Sequence, residues 1–400
     1  MSQAASIATR TPTAQADGPV STIPWRDGRL GLLGFCLAWL AVMGLRPNVY
    51  VATWIVLLAT AAPMLAAELM RAPVVEKRRP TWAPLAFAIG LPLASLPFFV
   101  LHLQGGGVAS WLRAWAVVAP AFVLRFVIEY ARTGTVSGGL PALLGQAVMR
   151  GDRQAFKDLA APARLFALKA IFIPLYGSSL LALLTMGLDS RPVTLLDWLT
   201  LAVILAYTID LGFGLSGYLF AANELAPTVR STQPHVVGWV VCLACYGPIF
   251  AHWPEFEAVV RAEIGWPTQL ELTLATGLAA AAMLVLLVLY VSASVCFGLR
   301  FSNLANRGVL AAGPYRLMKH PAYFAHAANA WILCGVLLPA AGVELGVSQW
   351  LVPLAFSLFY WGRARTEEMH MREDPDYVAY ADWIARHGLL ARAVSVVVGR

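Results

Sequence analysis

The residues best suited to chemistry lie near the C-terminus of this 400-residue chain. His320 is followed by Pro321, and the cations Arg316 and Lys319 come just before them. Proline restricts the preceding residue to an extended backbone and is well tolerated in the first turn of a helix. We therefore predict a helix that begins at Pro321 with His320 at its N-terminus. The free N–H groups of that helix end, with the two cations nearby, form a site for an anionic group of a ligand.

A second stretch, residues 363–384, is rich in charge and contains the adjacent acids Glu367 and Glu368. Neighbouring helical residues are about 100° apart, so the two carboxylates cannot aim at the same atom. One can contact a given ligand group, while the other caps, pairs or braces the loop. Opposite charges four residues apart, Arg363 with Glu367 and Glu368 with Arg372, also favour a solvated and self-paired helix.

These two stretches belong to a chain that is too apolar for a soluble protein. Hydrophobic residues make up 59% of it and charged residues 13%, whereas soluble domains have about 45–50% and 25%. Because about 20 apolar residues form one span, we predict an all-α, polytopic transmembrane helical bundle of about ten spans. The apolar runs begin near Leu30, Val49, Trp82, Val108, Arg164, Leu195, Val236, Glu271, Tyr323 and Gln349.

The distribution of charge predicts how the chain is oriented. Lys and Arg cluster in short connections near 71–79, 132–164 and 300–319, while acids occupy 255–263. The positive-inside rule places the basic connections, the C-terminal loop and helix, and both termini on the cytoplasmic side of a membrane of the bacterial inner type. Since the net charge of +7 arises from these clusters, we do not predict a nucleic-acid partner.

Cysteines and intramembrane polar residues supply the remaining candidates. Cys242 and Cys245 form a CxxC without flanking ligands, which favours packing over a metal site. Asp210 lies in an apolar run, where a carboxylate is expensive, so it either orients a substrate or pairs with a cation on a neighbouring helix. Asn329 faces either a ligand cavity or a partner helix.

Taken together, the two C-terminal stretches resemble the isoprenylcysteine carboxyl methyltransferase-like family of membrane methyltransferases, which is related to the phospholipid methyltransferases. The resemblance rests on Gly313-Pro314-Tyr315-Arg316, Lys319-His320-Pro321, Tyr323, Glu367-Glu368, Asp376-Tyr377 and Tyr380. It covers roughly the last 90 residues. Lys319 stands where the family usually has arginine, which keeps the charge but loses the bidentate fork. Residues 229–250 show a second, weaker likeness to a bacterial branch of the family.

The resemblance implies S-adenosyl-L-methionine (SAM) as methyl donor, bound at the cytoplasmic face, and a lipophilic or membrane-associated acceptor. The implied cofactor-binding residues are Gly313, Tyr315, Arg316, His320, Pro321, Tyr323, Glu367 and Glu368, and the implied catalytic residues are Arg316, His320 and Glu367. Asp210 and Asn329 are candidate substrate-binding residues. A carboxylate acceptor would need a cation such as Arg316 to position it, whereas an amine, thiol or hydroxyl would need a base, for which His320 or a glutamate is the candidate.

The predicted organisation has three parts. Residues 1–29 are polar and interrupted by prolines, which predicts a disordered tail. Residues 30–200 form N-terminal membrane helices, with an interfacial segment near 131–163 that is too polar to span. Residues 201–400 form the methyltransferase-like membrane domain with its cytoplasmic C-terminal helix.

Two other functions fit parts of the sequence. A membrane reductase of the sterol and steroid type also has a His-Pro-x-Tyr element and would use NADPH, but the acidic pair favours the methyltransferase. A non-catalytic scaffold or a transporter would be expected to show inverted repeats and polar residues near the bilayer midplane. The sequence shows no such repeat, and its chemistry-bearing residues cluster at one face.

Overall fold

The described residues are mostly helical, as expected where a helix satisfies its own backbone hydrogen bonds within a membrane. A computed structural model describes residues 14–15, 18–71, 108–133, 139–150, 159–220, 229–246, 254–265, 270–271, 273–343, 346–389 and 391–392. The helices in these residues are α1 Asp27–Leu45, α2 Val49–Arg71, α3 Val108–Thr133, α4 Gly139–Arg150, α5 Ala160–Asp189, α6 Leu195–Phe220, α7 Val236–Leu243, α8 Pro254–Gly265, α9 Leu274–Phe297, α10 Pro321–Ile332, α11 Val347–Met371 and α12 Pro375–His387. Short antiparallel pairs join β1 Ala14–Gln15 to β2 Gly18–Pro19, and β3 Ser231–Thr232 to β4 Ala305–Asn306.

Six helical stretches in the described residues are long and apolar enough to cross a membrane. They are Asp27–Leu45, Val49–Arg71, Ala160–Asp189, Leu195–Phe220, Leu274–Arg300 and Pro321–Ala340. The last of these extends α10 through a π-helical turn, Leu333–Leu337, and a final turn, Leu338–Ala340. By length and composition the chain is therefore an all-α integral membrane protein.

The sequence predicts about ten spans, and the described residues do not confirm all of them. The run near Val236 forms an eight-residue helix, which at about 1.5 Å per residue is too short to cross the hydrocarbon. Helices α3 and α11 form where spans were predicted but are not among the six, and the run near Trp82 lies outside the described residues. Within the segment 131–163, the 12-residue helix α4 is likewise too short to span.

The predicted disordered tail, 1–29, is wrong in its last part. Ile23 is 2% exposed, and the Thr22 N–H donates to the Val309 carbonyl at 2.9 Å. Helix α1 then begins at Asp27. The segment is ordered because it packs against the distant C-terminal loop, a contact that its own composition does not reveal. Most of the tail before residue 18 lies outside the described residues.

Helices α1, α2, α5 and α6 share one hydrophobic core. Phe35, Phe172 and Phe213 are completely buried in it. The helices approach closely, since a Cβ added to Gly34 would lie 2.0 Å from the Ala59 carbonyl oxygen. Small residues at such crossings let membrane helices pack by close backbone contact.

A second core joins α9, α10 and α11 around Met283, Leu337 and Val352. The main cavity of the described structure lies between these helices and the α5–α6 pair, and its walls include Tyr176 and Leu183 of α5. The predicted boundary at residue 200 therefore does not separate the cavity from the N-terminal helices.

The C-terminal loop between α9 and α10 is anchored at its start. Strand β4 of the loop pairs with β3, which follows α6. Asp374, the N-cap of α12, accepts from Arg230 at 2.6 Å and from Asn306 at 2.9 Å. These contacts tie α6, the loop and α12 together at one end of the helices.

Candidate functional site

The loop adopts the turns that its prolines predict. Gly313 has φ +57°, a conformation that favours glycine, and opens a 3₁₀ turn, Gly313–Arg316. Helix α10 then begins at Pro321 with His320 as its N-cap. The prediction of a helix starting at Pro321 is confirmed.

Glu368 holds the two basic residues of this loop. Its Oε1 lies 2.9 Å from Lys319 Nζ and 3.2 Å from His320 Nε2. The hydrogen bond with His320, followed by Lys319, lowers the pKa of Glu368 to about 2. Glu368 is 8% exposed, and through these two contacts it holds the loop against α11.

Glu367 points the other way, into the cavity. Its Oε2 accepts from the Tyr323 hydroxyl at 2.6 Å. The acidic pair is thus divided as helical geometry requires, with Glu367 facing the cavity and Glu368 bracing the loop. The expected self-paired helix is wrong, because both carboxylates bond to the loop and α10 rather than along α11.

Arg363 is the buried cation of the site and joins three elements. It is 8% exposed and donates to the Asn303 Oδ1. Asn303 Nδ2 in turn donates to the hydroxyls of Tyr246 at 2.8 Å and Tyr176 at 3.1 Å. The Arg363 guanidinium also lies over the Tyr323 ring, 4.8 Å from its centroid. This network fixes α11 against the start of the loop and against α5.

A cavity of about 630 Å³ opens between these groups, within the range of about 300–1,000 Å³ that is usual for small-molecule sites. Stacked rings follow one another along its wall. His320 and Tyr323 have centroids 5.2 Å apart, Tyr323 and Tyr360 5.4 Å, Tyr360 and His326 5.4 Å, and His326 and Tyr207 6.0 Å. The stack runs from the loop to the opposite end of the cavity.

Two further carboxylates lie at that opposite end. Asp210 Oδ1 accepts from the Ser294 hydroxyl at 2.5 Å, and Tyr290 also hydrogen bonds this carboxylate. Glu263 of α8 accepts from the Tyr207 hydroxyl at 2.7 Å and bonds the Asn329 side chain. Asp210 therefore pairs with hydroxyl groups, and its hydrogen-bonding partners in the described residues include no cation.

The structure brings only part of the predicted site together. Tyr315, His320, Tyr323, Glu367 and Asp210 line the cavity. Gly313 and Arg316 lie on the other side of the loop, where Arg316 stacks over Trp383 with its guanidinium carbon 5.7 Å from the ring centroid. Pro321, Glu368 and Asn329 are buried behind the lining. Asn329 thus contacts a partner helix.

Sequence reasoning missed several residues of the cavity. Charge spacing predicts a pair within α11 for Arg363, charge distribution groups Glu263 with the acids of 255–263, and the C-terminal motifs do not include Tyr207, Tyr290, His326 or Tyr360. For all of these except Glu263 a signal was present, since they occur three or four apart from other lining residues and so share helix faces with them. The spaced sets are Tyr207 and Asp210; Tyr290 and Ser294; Tyr323 and His326; and Tyr360, Arg363 and Glu367.

The arrangement offers partners to both signs of charge. The described lining has carboxylates at both ends together with the cations Arg261, Lys319 and Arg363, and aromatic rings, whose faces attract cations, line the path between the ends. Comparison with known proteins adds no relative: no family model, curated protein or solved structure matches the chain.

Proposed function

We propose that this chain is a SAM-dependent methyltransferase that acts on a lipophilic or membrane-associated acceptor. The observation that supports this most strongly is the cavity lining, with Glu367 at the loop, Asp210 and Glu263 at the far end, and stacked rings between them. SAM is an amino acid and a sulfonium, with two positive charges and one negative charge. Such a lining is complementary to its cationic groups.

The loop end has a partner for each charged group of SAM. Glu367 would bind the ammonium group, since its carboxylate faces the cavity. Lys319, His320 and the N-terminus of α10 would receive the carboxylate. The stacked rings of Tyr323 and Tyr360 offer π-faces for a sulfonium.

The NADPH-dependent reductase remains the alternative, and the same lining disfavours it. A dinucleotide phosphate needs several cations or backbone donors. The three described cations of the lining, Arg261, Lys319 and Arg363, are matched by three carboxylates, Asp210, Glu263 and Glu367, so the cavity offers no excess of positive charge to a polyanion. Three carboxylates that face the cavity would repel a polyanion.

The chemistry requires positioning and exclusion of water more than a metal or a covalent intermediate. When bound, SAM supplies an electrophilic methyl group. An amine acceptor fits the carboxylates of the far end better than a carboxylate acceptor would. Asp210, which Ser294 orients through a hydrogen bond, would take the proton that such an amine loses.

We also propose an orientation, supported by the basic connections of the sequence. The C-terminal loop and both termini lie in the cytoplasm, and the membrane is of the bacterial inner type.

The test is calorimetric titration of the purified protein with SAM and with S-adenosylhomocysteine. We expect saturable binding of both, weakened at least about tenfold by Glu367→Gln, because a hydrogen bond to a charged group contributes about 1.5–3 kcal/mol. Glu373→Gln is the matched control, since Glu373 is an exposed acid just beyond the end of the same helix. Absence of binding by both ligands, together with saturable binding of NADPH, would overturn the proposal in favour of the reductase.

A further inference from the structure

A second cavity, of about 530 Å³, lies on the opposite side of the C-terminal loop from the main one. Its walls are the segment 19–27, the end of α2 at Arg71 and the loop residues from Ala311 to Gly313, with Arg316 beside them. Because α1 begins and α2 ends here, the cavity lies at the ends of two candidate membrane spans.

The mouth of this cavity is strongly basic. Arg26, Arg71 and Arg316 line it, and only one carboxylate, Asp27, accompanies them among its described lining residues. Asp27 is already bonded to Arg71. Arg29 lies next to this group, with its guanidinium carbon 4.8 Å from the Trp25 ring centroid.

Three of these arginines keep their hydrogen-bonding capacity. Arg26 and Arg29 lie over Trp25, and Arg316 lies over Trp383. Within the described part of the chain, none of the three forms an ion pair with a carboxylate. A guanidinium that stacks on a ring still presents its N–H groups at the edge, in a geometry that suits phosphate oxygens.

An apolar path leads away from the arginines along α1. Four leucines on one helix face are exposed and are spaced three, four and three residues apart. They are Leu30 (44%), Leu33 (59%), Leu37 (61%) and Leu40 (69%). The opposite face of α1 is packed in the first core through Phe35 and Val42. The exposed leucines therefore face the hydrocarbon, directly beside the basic cavity.

We propose that this basic cavity binds the headgroup of an anionic phospholipid, with the phosphate at Arg26 and Arg316 and an acyl chain along Leu30, Leu33, Leu37 and Leu40. Basic pockets at the cytoplasmic ends of transmembrane helices are suited to anionic lipid headgroups. A free phosphate would contact the arginines alone. Because only a lipid also has acyl chains that can contact the leucines, the leucines favour a lipid over a free phosphate.

Such a lipid would act on the loop that forms the main cavity. The segment 21–23 crosses the loop, where the Val309 N–H donates to Thr22 Oγ1 at 2.7 Å and the Ala311 N–H donates to Ser21 Oγ at 2.8 Å. The headgroup would contact this segment, the end of α2 and Arg316 together. Its binding therefore stabilises the loop without entering the main cavity, and the inference holds whatever that cavity binds.

The experiment is native mass spectrometry of the delipidated protein in detergent, titrated with phosphatidylglycerol or with phosphatidylcholine of the same acyl chains. We expect phosphatidylglycerol to bind as a saturable 1:1 complex, at least about tenfold more tightly. The double variant Arg26→Gln, Arg316→Gln should lose roughly 25-fold in affinity for it, from about fivefold per arginine.

The matched control is Arg191→Gln. Arg191 lies just beyond the C-terminal end of α5 and is not part of the basic cavity. It donates to the carbonyls of Leu188 and Ser190, so its loss should leave lipid binding unchanged. Leu33→Ser, Leu37→Ser should weaken the lipid but not sn-glycerol 3-phosphate. Equal affinity for the two lipids, or an unchanged preference in the double arginine variant, would overturn the proposal. Glycerol phosphate binding as tightly as the lipid would overturn the acyl-chain part.

Discussion

The two ends of the main cavity are built in different ways. At the loop end, Glu368 pairs with Lys319 and His320, and Arg363 is bonded to Asn303. At the far end, the described partners of Asp210 and Glu263 are hydroxyls and one amide. The loop end is held together by an ion pair and a charged hydrogen bond, whereas the described hydrogen bonds of the far-end carboxylates go to neutral groups.

We therefore expect the loop end to contribute mainly to the stability of the protein and the far end mainly to its affinity for a ligand. Buried charges that have partners fix the backbone on either side of them, so changes at the loop end should act mainly on stability. The described hydrogen-bonding partners of Asp210 and Glu263 are neutral, and a buried charge favours a charged partner, so a cationic ligand in the cavity would supply one. Changes at the far end should therefore cost little stability.

The largest effect is expected from Arg363→Met. Methionine approximates the length of the side chain but leaves Asn303 without its donor and the Tyr246 and Tyr323 rings without their cation. We expect the free energy of unfolding in mixed micelles to fall by about 3 kcal/mol.

Arg365→Met is the control for this change, because Arg365 is an exposed cation on the same helix. Its loss should alter stability by less than about 0.5 kcal/mol. Equal effects of the two variants would show that the loop end does not depend on its buried cation.

A smaller effect, with a defined pH dependence, is expected from Glu368→Gln. The pKa of Glu368 is lowered from 4.5 to about 2 in the folded state, so folding favours the ionised form. Its contribution is fully present above about pH 4.5 and is lost as the pH falls through about 2. We expect it to be about 1–2 kcal/mol, after allowing for solvent screening.

The measurement is the unfolding temperature of both proteins between pH 6 and pH 3. Wild type should lose stability over this range, whereas Glu368→Gln should begin lower and change less. Glu373→Gln should follow the wild type, because Glu373 is exposed. A variant curve that runs parallel to the wild-type curve would contradict the assigned role of Glu368.

The local part of this architecture could be predicted from sequence. The start of α10 at Pro321 follows from the backbone limits of proline, and the division of Glu367 from Glu368 follows from the 3.6-residue repeat. Apolar length also predicted the six candidate spans. These features depend on residues close together in the chain.

The predictions that were wrong concern features that depend on long-range contacts. Ile23 is buried through its packing on a loop almost 290 residues away, which tail composition cannot reveal. Arg363 bonds Asn303 rather than the nearer Glu367, so the charge pattern of one helix gave the wrong partner. Glu263 reaches Tyr207 because α8 folds back against the cavity. Only the tertiary arrangement decides between such partners.

The smallest effect is expected at the far end, from Tyr207→Phe. The change removes the hydroxyl that donates a hydrogen bond to Glu263 at 2.7 Å, but it keeps the ring stacked on His326. Glu263 retains Asn329 as a partner and faces the cavity, so we expect a loss of about 1 kcal/mol or less in the free energy of unfolding.

Tyr130→Phe, at an exposed position, should have no measurable effect. A loss for Tyr207→Phe as large as that for Arg363→Met would show that both ends serve stability. A small loss, with weaker binding of an alkylammonium ion, would support a far end that keeps its charge for a ligand.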